Sequence, residues 1–289
     1  MLKTIKKIFN IFIIKPFDFI QKYFKTFIFL LIVIVIFSSS TSTKDMNANL
    51  AKIYLKGPIF ESETFLSQIE NLKNYPNLKG ILLIIDSPGG TLSASVEIAD
   101  IIKELNESMP VIAYVQGSMA SGSYYAGMYA NTIVANRGSM IGSIGVIFNG
   151  YNIKDLLNKI GVQSQSLAAG EFKEAGTFTR EWSKKEKEYL EQLLKEQYRM
   201  FIMDVAKARN LNPNNYKDFA EGKIFSANNA LNLGLIDIVG SQVNAINILK
   251  ELSGVNEIVW VKNGLLESYL EKLTSKAINQ VFLNLSRIQ

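Results

Sequence analysis

Three short stretches carry groups that could do chemistry. Asp86-Ser87-Pro88-Gly89-Gly90 offers two consecutive glycines, whose amides can turn toward a cavity with no side chain in the way. Gly117–Gly127 reads GSMASGSYYAG, in which all but Met119, Tyr124 and Tyr125 are Gly, Ala or Ser. Its serines, Ser118, Ser121 and Ser123, are candidate nucleophiles, and spacing does not choose among them. Lys173 lies in Gly170-Glu171-Phe172-Lys173-Glu174-Ala175-Gly176. The chain has no histidine and no cysteine, so a Ser-His-Asp triad, thiolate nucleophiles, disulfides and Cys-based metal sites are all excluded. A serine hydrolase built from this chain needs another base, and lysine is the side chain that substitutes. It does so only where desolvation or nearby positive charge favours the neutral amine. Each stretch also has an ordinary explanation: a strand-to-helix turn, close helix–sheet packing, and a surface lysine paired with Glu171 or Glu174.

The elements that must position these residues alternate in type. Ala51–Ile59 is strand-like, and Glu63–Leu72 has helical spacing. Gly80–Asp86 (GILLIID) and Val111–Val115 (VIAYV) are short continuous apolar runs, suited to strands buried on both faces. Thr91–Leu105 and Ser121–Ala130 read as helices, and Thr132–Ala135 and Ser143–Phe148 as short strands. Ser183-Lys184-Lys185-Glu186 has the spacing of a capping box and opens a helix to about Ala208. Asn212-Pro213 starts a second helix. Then come a strand at Lys223–Phe225, a helix to Asn232, a strand at Leu235–Ile238, and a helix ending near Ser253. A strand at Glu257–Val261 and an amphipathic helix at Leu265–Ile288 close the chain. Strands alternating with helices predict an α/β fold with a mainly parallel sheet and helical crossovers.

Charge divides the chain of 289 residues unevenly. Residues 1–43 hold six lysines (Lys3, Lys6, Lys7, Lys15, Lys22, Lys25) and one acid, Asp18. The 25 basic and 25 acidic residues that follow cancel, so the net charge of +5 marks no nucleic-acid face on the body. The excess sits beside Phe27–Phe37 (FIFLLIVIVIF), which Ser38–Thr43 extends to about 17 positions, the lower limit for a bilayer span. We read 1–26 as a basic cytoplasmic leader, 27–43 as a transmembrane signal anchor, 44–50 as a linker and 51–289 as the catalytic domain with a helical extension. A cleaved signal peptide and a buried core helix are the alternatives for the apolar run.

The motifs occur as an ordered set. After the Asp86–Gly90 stretch come Ala120-Ser121-Gly122 with Tyr124-Tyr125, and Ile133-Val134-Ala135-Asn136 followed by Gly142-Ser143-Ile144-Gly145. Gly170-Glu171-Phe172-Lys173 is next. Gly222-Lys223-Ile224-Phe225 and Leu233-Gly234-Leu235-Ile236-Asp237 complete the set. From about Ile53 to Gly240 the chain resembles the signal peptide peptidase A family of serine peptidases, in its short form with an N-terminal membrane anchor. The resemblance implies a crotonase/Clp-protease-like fold and a Ser-Lys dyad. It makes Ser121 the nucleophile, Lys173 the general base, and the amides of Gly89, Gly90 and Gly122 the oxyanion hole. Ser123 departs from it, standing where the family often has a second glycine. It further implies a homo-oligomeric ring in which Ser and Lys come from neighbouring subunits. The substrates would be unfolded hydrophobic peptides, the remnants of signal peptides, with no cofactor and no metal. The alternatives are a catalytically silent membrane scaffold and a crotonase-like acyl-CoA enzyme.

The lysines precede the apolar run, so the positive-inside rule places the body on the extracytoplasmic side of a bacterial inner membrane. A phosphatase reporter that works only outside the cytoplasm is expected to be active when fused after Lys44. Activity confined to a cytoplasmic reporter at that junction would reverse the assigned topology.

Overall fold

The computed structural model describes residues 15–39 and 47–262. It divides into two units, one of which is the compact body Met46–Val261. In the other, helix α1 (Lys15–Ser39) contains the whole apolar run Phe27–Phe37. Its side chains from Phe27 to Ile32 are exposed. Among the described residues no helix is long and apolar enough to cross a membrane. Residues 40–43 of the expected anchor and the helix expected at Leu265–Ile288 lie outside the described residues.

The body is built on seven strands. Strands β1 (Leu50–Lys56), β2 (Gly80–Ser87) and β3 (Val111–Ala120) run parallel in that order. β3 is shared between two partners. Its first half pairs with β4 (Thr132–Ala135) and its last three residues with β5 (Met140–Gly142). The single antiparallel pair joins β5 to β6 (Ile224–Ser226), and β7 (Ile238–Val239) closes the other edge beside β4. Three helices follow the first strands: α2 (Glu63–Leu72), α3 (Leu92–Ser108) and the short α4 (Gly122–Gly127). The short α5 (Lys154–Lys159) precedes the long α6 (Lys184–Ala208). Then come a 3₁₀ turn at Pro213–Asn215, α7 (Tyr216–Phe219), α8 (Ala227–Asn232) and α9 (Gln242–Ser253).

The apolar runs are buried on both faces, as parallel strands covered by helices must be. Alternate residues sort to opposite sides. Ile81, Leu83, Ile85, Val111, Ala113 and Val115 join the larger core with residues of α3, α4 and α6. Leu82, Ile84, Ile112 and Tyr114 face the other way, onto Ala245 and Leu249 of α9.

Some elements differ from the sequence reading. β3 runs five residues beyond Val115, because a bulge lets it continue. Ile85 pairs with Val115, yet Ser87 pairs with Met119, so β3 holds two extra residues there. The Asp86 carboxylate fills the bulge and accepts the Ser118 N–H at 3.0 Å. A Cβ on Gly117 would overlap that carboxylate. The strand expected at Ser143–Phe148 lies instead at Met140–Gly142. Gly142 and Ser143 take positive φ (104° and 50°), which ends the extended backbone there. Residues 257–261 form only an isolated bridge, Leu50 to Trp260, and β7 begins three residues later than expected, at Ile238. α4 stops at Gly127, short of Ala130.

Candidate active site

Ser121 closes the turn between β3 and α4. Its backbone has φ 54° and ψ −124°, a conformation that side-chain-bearing residues rarely adopt and that costs about 1–3 kcal/mol. Bonds on every side impose it. The Ser121 N–H donates to the Gly142 carbonyl at 2.7 Å, and its own carbonyl accepts from Tyr124 and Tyr125 at 3.0 and 3.1 Å. The Tyr124 hydroxyl, fully buried, donates to the Leu235 carbonyl at 2.8 Å. Burial pushes that phenol's ionisation well above the ordinary tyrosine range, so the hydroxyl stays a donor. Ser121 itself is only half-buried.

The Gly89–Gly90 turn lies directly against this elbow. A Cβ on Gly89 would sit 2.6 Å from both the Ala120 oxygen and the Gly122 nitrogen, and 2.9 Å from the Ser121 Cβ. A Cβ on Gly90 would overlap the Ile59 carbonyl, and one on Gly122 would overlap the Ser95 hydroxyl. Backbone therefore meets backbone at Gly89 and Gly90, where glycine is required, and Gly122 packs on the Ser95 side chain. Ile59 donates to the Gly89 oxygen (2.9 Å) and accepts from Thr91 (2.7 Å), a parallel bridge centred on Gly90. In such a bridge the central residue's own N–H points to the opposite edge. The Gly90 nitrogen lies 3.1 Å from where a Gly122 Cβ would stand. The amides of Gly90 and Gly122 have no acceptor among the described residues. The Gly89 N–H, in contrast, donates to the Ser87 hydroxyl at 3.1 Å.

The three serines separate clearly. Ser123 is fully buried. Its hydroxyl accepts the Ala120 N–H at 2.8 Å and lies 2.7 Å from the Ser87 carbonyl, to which it donates. Ser118 lies on the bulge, four residues before α4. Only Ser121 joins the strained turn to the two free amides. Sequence reasoning missed Ser87, Ser95 and Asp86 as supports, and no spacing signal marks them.

Lys173 stands apart. It is exposed in the turn 171–176, and its backbone N–H donates to the Gly170 carbonyl at 3.2 Å. No hydrogen bond links it to Ser121 within the chain. The alternative in which it is a surface lysine paired with Glu171 or Glu174 is not realised: Glu171 pairs with Lys185 and Glu174 with Arg180. The structure thus brings Gly89, Gly90, Ser121 and Gly122 together and leaves Lys173 outside that group. No cluster of three or more Asp or Glu suited to a metal occurs among the described residues.

A family model described as peptidase family S49 matches residues 103–256, which include Ser121, Gly122 and Lys173. The chain belongs to peptidase family S49. A Methanocaldococcus jannaschii protein named as a protease is 32% identical to this S49 member over 262 residues, covering 83% of this chain and 84% of its own length. The chloroplastic serine protease SPPA of Arabidopsis thaliana is 32% identical over 208 residues, which is 70% of this chain and 31% of that protein. Among solved structures, a mutant of a membrane-bound stomatin-specific protease aligns over 75% of this chain and 99% of its own. Its TM-score is 0.50 and its identity 20%, a likeness of fold alone. The expected family is therefore shown, and with it a peptidase on a mostly parallel α/β sheet.

Ser123→Ala tests the division of labour among the serines. Removing a buried hydroxyl with two partners should cost about 1–3 kcal/mol of stability. Urea denaturation should show that loss, while the folded variant keeps most of the peptidase activity. Loss of activity without loss of stability would make Ser123 the reacting group instead.

Proposed function

We propose that this S49 peptidase is a membrane-anchored serine endopeptidase that uses Ser121 as nucleophile and Lys173 as general base to degrade released signal peptides. One observation carries the reading: a half-buried serine in a strained turn faces two backbone amides that lack acceptors. Such amides suit the negative oxygen that develops when a carbonyl is attacked. The neutral Lys173 amine takes the Ser121 proton as the Ser121 oxygen bonds to the scissile carbonyl carbon. The carbonyl electron pair moves onto the oxygen, which the Gly90 and Gly122 N–H groups receive. The tetrahedral intermediate then expels the peptide amine, which takes the proton from Lys173. Water hydrolyses the acyl-enzyme by the same route, and Ser121 recovers its proton. Gly89 serves by close packing, since its amide is already engaged by Ser87.

The dyad is completed between neighbouring subunits of a homo-oligomeric ring. An exposed Lys173 with no bond to Ser121 in its own chain supports this. So do large apolar side chains exposed on the intervening segment, including Ile147, Tyr151 and Leu167, which suit burial against another copy. The substrates are unfolded hydrophobic peptides. Apolar side chains exposed along α1 support an anchor in the inner membrane at 27–43, with the N-terminus inside and the domain of 51–289 outside. The reaction draws on no cofactor, metal or nucleic acid.

Hydrolysis of a hydrophobic peptide should fall by about three orders of magnitude or more in Ser121→Ala. Lys173→Arg should be as inactive as Lys173→Ala, because a guanidinium does not give up its proton. Mixing Ser121→Ala with Lys173→Ala protein under subunit exchange should restore part of the rate. Wild-type activity in Lys173→Ala would remove the dyad. Two inactive parents that exchange subunits without rescue would place both residues in one chain.

A further inference from the structure

The loop that carries Lys173 is fastened through its two carboxylates, Glu171 to Lys185 on α6 and Glu174 to Arg180 just ahead of it. Lys173 donates to the Gly170 carbonyl, Ala175 to Phe172 and Thr177 to Glu174, three turns of the i to i+3 kind. Such turns advance about three residues per revolution, so Glu171 and Glu174 share one side of the loop and Lys173 faces another. Cations wait on the shared side. Lys185 Nζ lies 2.8 Å from Glu171 Oε1, and Arg180 Nη2 lies 3.4 Å from Glu174 Oε2. The same guanidinium forks onto Glu186 at 2.9 and 2.7 Å. Glu186, buried, also closes the capping box with Ser183, and Arg180 holds its carboxyl down at about 2. One helical turn past Lys185, Tyr189 stacks on Phe172 with ring centres 4.8 Å apart. Among the described residues Lys173 itself has no ion pair.

A lysine with carboxylates two residues before it and one after it has ready partners. A carboxylate within about 4–6 Å of an ammonium favours the protonated form, which cannot act as a base. We propose that Arg180 and Lys185 are positioning residues for the base: each takes up one carboxylate flanking Lys173 and so leaves the amine able to shed its proton. The charged and titratable groups around the loop are Glu171 and Glu174 on the loop itself, Arg180 ahead of α6, and Lys185, Glu186 and Tyr189 on α6. With Glu171 paired to Lys185 and Glu174 sharing Arg180 with Glu186, the negative charge that Lys173 meets from its own loop is reduced. The inference rests on Lys173 being the base.

The test follows kcat/KM of the full-length protein for a hydrophobic peptide ester against pH. Exposed ion pairs contribute little to stability, so Lys185→Gln should leave the thermal midpoint nearly unchanged. Its rising alkaline limb should move upward by about half a pH unit, and high salt should shrink the shift. Adding Glu171→Gln should return the limb to its wild-type position. Arg180→Gln, which also unpairs Glu186, should move the limb the same way, and adding Glu174→Gln should return part of that shift. A limb unmoved in Lys185→Gln and in Arg180→Gln overturns the inference, as does an equal fall in rate at every pH. Lys173→Ala separates the two levels. If it is inactive while the limbs stay fixed, only the positioning role fails; if it is fully active, the base assignment fails and this role with it.

Discussion

At the centre of this structure two pieces of backbone touch with no room for a side chain between them. Gly89 and Gly90 press against Ser121 and Gly122 so closely that a Cβ on any of the three glycines would collide with a neighbour. That contact fixes the distance between the end of β2 and the end of β3. It also brings the acceptor-free amides of Gly90 and Gly122 near one another. A side chain at Gly89 would meet the Ala120 oxygen and the Gly122 nitrogen and drive the two strand ends apart, while one at Gly90 would strike the Ile59 backbone and one at Gly122 the Ser95 hydroxyl.

The surrounding architecture reads as support for this contact. The β3 bulge, filled by Asp86, lets the strand continue to Ala120 after its register with β2 has shifted. β5 pairs with the extension and offers the Gly142 carbonyl to Ser121. Ser123 ties β2 to β3 from beneath through the Ser87 carbonyl and the Ala120 N–H. The strain at Ser121 is thereby over-determined, the condition under which an unfavourable backbone conformation persists. Behind it, Arg209 reaches Asp237 at 2.6 Å, and Asp237 accepts the Ile133 N–H at 2.7 Å, locking β4 beside the segment that leads into β7.

Much of this was legible in the sequence, for physical reasons. Gly80–Asp86 and Val111–Val115 are short continuous apolar runs between turn signals, the pattern of strands buried on both faces, and the Ser183–Glu186 spacing marks the start of α6 where it lies. The glycine pair and the small-residue run, both singled out as candidates, lie against each other in the structure. Other features depend on contacts that spacing does not encode. Gly117–Ala120 has little strand propensity and joins β3 only because Asp86 fills the bulge. α5 buries none of its residues, so no apolar period announced it. Glu257–Val261 looks like a strand but meets the sheet at the single bridge to Trp260. Spacing does not choose among Ser118, Ser121 and Ser123, all small, polar and close in sequence; the family resemblance points to Ser121, and the backbone angles and hydrogen bonds set it apart from the other two. Adjacency alone would also pair Lys173 with Glu171 or Glu174, but Glu171 turns to Lys185 on α6 and Glu174 to Arg180 ahead of it.

The central claim is that the strained serine, and not its neighbours, is the reacting group. A fluorophosphonate forms a stable bond to an activated serine oxygen, and peptide mass spectrometry then locates the modified residue. The account predicts one phosphonyl group per chain, on Ser121, with none in Lys173→Ala protein. An adduct on Ser118 or Ser123, or labelling that persists without Lys173, would contradict it.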